Sequence, residues 1–87
     1  MGRAMSYRTS DLYLAAGLQV TLRLPLPDLD LRERLAVFAF QEADPAEAQR
    51  VADAFYNGTL TVHAHEFTQS LKTLKTVLNQ RREGKIK

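Results

Sequence analysis

The sequence contains no cysteine. That absence excludes disulfide staples, thiolate-bound metal centres and cysteine nucleophiles together, and it points to a reducing compartment. No apolar run approaches the roughly 20 residues needed to cross a bilayer, and the N-terminal stretch has no signal-peptide core. A cytoplasmic protein without a membrane partner is the expectation. Glycine is scarce, and Gly17, Gly58 and Gly84 stand far apart. A glycine-rich loop that could cradle a phosphate is therefore missing.

What is present fits one small globular domain. The chain has 87 residues, 45% of them apolar and 25% charged, a balance that can build one core but not two. Net charge is +2 but unevenly spread. From Thr68 onward Lys72, Lys75, Arg81, Arg82, Lys85 and Lys87 face Glu83 alone, a net of +5, which leaves −3 on residues 1–67. A basic tail follows a mildly acidic body.

Residues 1–8 mix Gly, Ser and Arg without periodicity and read as a flexible arm ahead of a domain over residues 9–82, with residues 83–87 as a basic tail. Thr9 or Ser10 can cap a short helix that begins at Asp11 and stops at Gly17. Leu18, Val20, Leu22 and Leu24 alternate with Gln19, Thr21 and Arg23, the pattern of a half-buried strand. Pro25 and Pro27 end that strand, and Asp28 to Arg34 reads as a charged connection. Leu35 to Gln41 is a second strand, apolar on both faces. It is either covered twice or meets another molecule with one face.

Asp44-Pro45-Ala46-Glu47 carries the signals of a helix start: an N-cap, proline at the first helical position, and a glutamate placed for a capping box. Ala48, Val51, Ala52 and Phe55 give this helix its apolar stripe, and Asn57-Gly58 supplies the left-handed residue that closes it. Thr59 to Val62 alternates as a short edge strand would. A last helix begins near His63, carries Phe67, Leu71, Leu74, Val77 and Leu78 on one side, and is expected to reach about Arg82. The sum is a small single α+β domain of order α-β-β-α-β-α, with an antiparallel, hairpin-centred sheet and helices packed on it.

Four segments together, Ser10 to Ala16 (SDLYLAA), Val37 to Phe40 (VFAF), Ala54 to Gly58 (AFYNG), and Phe67 followed by Leu71 to Lys75 (LKTLK), resemble a family of short bacterial and phage-borne proteins of unknown function. Its pattern runs SDLYLAA, VFVF, AYxNG and FxxALKxLK, and the likeness spans most of residues 10–78. The family tends to continue its first helix past the point where this sequence has Gly17. The resemblance implies a fold unit and a prokaryotic or viral setting, and it carries over no functional residue.

Candidate chemistry is thin. His63, His65 and Glu66 form the cluster richest in metal-ligand side chains, but they straddle an expected strand-to-helix boundary, and helix capping or solvent exposure accounts for them. No metal and no cofactor is expected. Ser10 and Ser70 sit in no strained glycine-flanked turn of the kind that presents a nucleophile. Asp28 and Asp30 lie between prolines and charges, where solvation is the expectation. The leading functional reading is a non-enzymatic interaction protein, a homodimer or the binder of a protein partner, with Val37, Phe38 and Phe40 as the interface. It requires the two phenylalanine rings to point away from the helices. The alternative is sequence-independent nucleic-acid binding through Lys72, Lys75, Arg81, Arg82, Lys85 and Lys87. A small enzyme, metal-dependent or otherwise, is the third reading.

Overall fold

A computed structural model describes residues 6–32 and 35–86 of the chain. Among these residues six elements follow one another: β1 (Tyr7–Thr9), α1 (Leu12–Leu22), β2 (Asp28–Arg32), β3 (Leu35–Phe40), α2 (Pro45–Asn57) and α3 (Ala64–Ile86). The α+β class holds, but the order is β-α-β-β-α-α. The three strands form one antiparallel sheet, ordered β1-β3-β2. Among the described residues no helix is long and apolar enough to cross a membrane.

β3 is the centre of the sheet and sets the direction of every side chain on it. Tyr7 lies opposite Phe40, Thr9 opposite Phe38, and Leu29 opposite Phe38 from the other side. Strand alternation then puts Ala36, Phe38 and Phe40 on one face and Leu35, Val37 and Ala39 on the other. The first face is the core: Phe38 and Phe40 are each 2% exposed and cluster with Leu14, Leu18, Leu29, Val51 and Leu74. Burial of a phenylalanine side chain contributes about 1.5–3 kcal/mol, so these two rings are principal anchors of the fold.

α1 lies between its neighbours, touching the sheet, α2 and α3. Leu14, Ala15, Ala16, Gly17 and Leu18 are consecutive and all buried. That all-round burial erases the amphipathic signature a surface helix would show, and it explains why Leu18 to Leu24 read as a strand. The segment instead continues α1 to Leu22. Gly17 is no helix stop but a small residue in the interior, where an added Cβ would meet Leu60 Cδ2 at 3.4 Å. The true stop is Arg23, held in the left-handed region at φ 54°, with Leu24 N–H bonded to the Gln19 carbonyl at 3.0 Å. At the other end Asp11 itself is the N-cap. Its Oδ1 accepts from the N–H groups of Tyr13 and Leu14, while Thr9 Oγ1 accepts from Asp11 N–H.

Three further expectations are corrected. Residues Asp28–Arg32 are a strand rather than a connection: Leu29 and Leu31 face the core while Asp28 and Asp30 face out, a period of two hidden by flanking prolines and charge. Tyr7 and Arg8, read as part of an arm, and Thr9, read as a possible helix cap, pair with β3 as an edge strand, and residues 1–5 of that arm lie outside the described residues. Thr59 to Val62 forms no strand; Thr59 and Leu60 N–H groups bond back to the Ala54 carbonyl and close α2.

α2 begins and ends where its sequence signals place it, but the capping box does not close: among the described residues no hydrogen bond joins the Glu47 side chain to Asp44 N–H. Asp44 Oδ1 accepts from Ala46 N–H, Pro45 opens the helix, and Gly58 ends it at φ 77°. α3 begins where the His63 carbonyl accepts from Phe67 N–H. It runs beyond Arg82 to Ile86, so that residues 83–86, read as part of a tail, continue the helix. Leu74, buried to 1% exposure, anchors it on α1, and Ser70 donates a hydrogen bond to Gln19 across that contact.

Candidate functional site

The face expected to meet a partner is not the one that carries the aromatics. Phe38 and Phe40 point into the chain's own core, so they offer nothing to a second molecule. Val37 remains on the outer face beside Leu35, which is 53% exposed. Polar bridges flank that strip. Arg8 donates to Asp30 at 3.2 Å, and Gln41 donates to Asp28 at 3.0 Å. The outer face is thus a narrow apolar line beneath a charged lattice, in keeping with a sheet that is covered on one side only.

The basic residues divide into two groups. Lys72, Lys75 and Arg82 are exposed on α3 and, among the described residues, make no ion pair. At 100° per residue they fall with Asn79 inside an arc of about 80° and span about 15 Å of helix axis. From Phe67 to Arg82 the sequence has no aspartate or glutamate. The solvent side of this stretch therefore offers cations, hydroxyls and amides, with Thr68, Gln69 and Thr76 among them, and no carboxylate to repel an anion.

Arg81 belongs to the other group. Its Nη1 donates to the Leu29 carbonyl at 3.2 Å, so it is turned toward β2 and away from the row formed by its neighbour. Helical spacing already separates the two arginines, since Arg81 falls about 20° from Leu74 in the apolar stripe and Arg82 on its flank; what spacing could not supply is the partner of Arg81, a carbonyl on a strand 52 residues away. The side chain of Lys85, and all of Lys87, lie outside the described residues.

The remaining candidates do not converge. His63, His65 and Glu66 are all exposed at the start of α3. Among the described residues no group of three His, Asp or Glu side chains is placed to hold a metal ion. An open groove of about 360 Å³ between the end of α1 and α2 has a floor of Leu22, Val51, Ala54 and Leu60, with Glu47 and Arg50 at its rim. A smaller cleft of about 80 Å³ is lined by Leu24, Leu26 and Phe40. Neither brings a hydroxyl nucleophile against a base.

One polar junction was not foreseen from the sequence. Tyr56, 64% exposed near the end of α2, donates its hydroxyl to Asp11 Oδ2 at 2.7 Å. Its phenol is pushed above the usual tyrosine value, first by that hydrogen bond, then by burial and the charge of Asp11. The signal available in advance was that Asp11 suits the positive end of a helix, which says nothing of a tyrosine 45 residues away. No family model matches the chain, and no curated protein or solved structure matches it.

Proposed function

We propose that this chain is a non-enzymatic binding module that contacts the phosphate backbone of nucleic acid, without reading sequence, through the outer face of α3. The observation that carries this reading is the exposed row Lys72, Lys75 and Arg82 in a stretch that has no acidic residue. Each cation that meets a phosphate displaces condensed counterions, and the free energy of binding comes from their release. Thr68, Gln69, Thr76 and Asn79 add neutral donors to the same side, which suits phosphate and sugar contacts. The helix has no aromatic platform on this side, so stacking on unpaired bases is not its mode, and duplex is the preferred substrate. An accessory role in a bacterium or its phage fits such a module.

Titration of a labelled duplex of arbitrary sequence by fluorescence anisotropy tests the reading. Three phosphate contacts give a slope of about −2.7 for log K against log salt. Replacing Lys72, Lys75 and Arg82 together by glutamine should abolish binding while the circular dichroism spectrum stays native. Retained affinity in that folded variant refutes the proposal.

A further inference from the structure

We propose that Arg81 is a latch that keeps the free edge of β2 closed to a second copy of this chain. Among the described residues the sheet order leaves β2 at one side with a single neighbour, β3. An edge of this kind presents unpaired backbone groups and invites another strand. In an antiparallel ladder the N–H and C=O of one residue point to the same side, and the side alternates along the strand. The Leu29 carbonyl accepts from Arg81, so it points away from β3, and the backbone groups of Leu31 point the same way. Leu29 and Leu31 together hold two donors and two acceptors in the open direction, separated by about 7 Å.

The occupant that fits is a second copy because the edge is complementary to itself. A second β2 brought up antiparallel about Asp30 sets Leu29 opposite Leu31 of the other copy and Leu31 opposite its Leu29. Four main-chain hydrogen bonds result. The leucines of both copies lie on the core side, Leu29 at 8% exposure and Leu31 partly buried, so the two cores join edge to edge. The aspartates at position 30 come opposite each other on the outer face, and the Arg8 guanidinium 3.2 Å from Asp30 in the same chain offsets that repulsion. Arg81 forbids the arrangement twice over. It occupies the Leu29 acceptor in each copy, removing two of the four bonds, and its guanidinium lies where the incoming strand would run.

Light scattering and sedimentation of the full chain test the latch. Arg81→Met retains the aliphatic stem and removes the donor; Arg81→Gln is the second variant, with a side chain too short to reach the carbonyl. Wild type is expected to be monomeric, and each folded variant to self-associate as concentration rises. In the associated state the amides of Leu29 and Leu31 should gain at least about tenfold protection from hydrogen exchange. Folded variants that stay monomeric overturn the proposal, as does association that leaves those two amides unprotected. A dimeric wild type overturns it as well.

Discussion

Tyr56 and Asp11 join the end of α2 to the start of α1: the phenol donates to Asp11 Oδ2 at 2.7 Å while Asp11 Oδ1 caps α1. One carboxylate thereby fixes two helices. Replacing Tyr56 by phenylalanine removes only the inter-helix bond. At an exposed position the expected loss is about 0.5–1 kcal/mol of unfolding free energy. Asp11→Ala removes the cap as well and should cost more, about 1–2 kcal/mol.

The same bond makes a pH prediction with a definite sign. Because the folded state raises the Tyr56 pKa, it favours the neutral phenol. The stability difference between wild type and Tyr56→Phe should be constant below pH of about 10, the ordinary tyrosine value, and should vanish as pH rises through the elevated one. Chemical denaturation of both proteins across that range measures it. A difference that persists after the phenol has ionised would show that the hydrogen bond is not its source.

Gly17 tests the extent of α1. Its backbone is helical and not in the left-handed region, and the Cβ of an alanine would sit at ordinary contact distances, 3.4 Å from Leu60 Cδ2 and 4.0 Å from Phe55 Cδ1. Alanine in a helix interior is favoured over glycine by about 0.5–1 kcal/mol. Gly17→Ala should therefore raise Tm by several degrees in thermal unfolding. If residue 17 ended the helix, the same change would lower it.

The orientation of β3 is tested by two adjacent lysines. Phe38→Lys removes a core ring and buries an unpaired charge, an expected loss above about 4 kcal/mol, comparable with the whole stability of a small domain. Val37→Lys places the same side chain among the polar groups of the outer face and should cost about 1 kcal/mol or less. Circular dichroism and denaturant midpoints separate the outcomes. Equal tolerance at both positions would mean that the rings lie outside the core.

The parts of this fold that sequence patterning reveals are those determined within a few residues. Asp44, Pro45 and Gly58 bound α2 by local backbone chemistry, and Phe67, Leu71, Leu74 and Leu78 give α3 a one-sided stripe because α3 packs on one side. α1 escapes the same reading because it is enclosed, and β2 because its short alternation pairs leucine with aspartate directly after Pro25 and Pro27. The candidate site divides in the same way. That residues 72–82 are basic is plain from composition, whereas the inward turn of Arg81 is decided by where α3 passes the edge of β2.

Arg81 and Arg82 should consequently behave as opposites although they are neighbours. Arg82→Ala leaves packing untouched, so stability should hold within about 0.5 kcal/mol while the salt slope of duplex binding falls by about 0.9. Arg81→Ala loses a charge-assisted bond to a half-buried carbonyl and should cost about 1–2 kcal/mol, with the slope unchanged. Both measurements are made dilute enough to keep every variant monomeric. If Arg81→Ala lowers the slope as much as Arg82→Ala and leaves stability intact, its guanidinium faces solvent and the contact with Leu29 is not made.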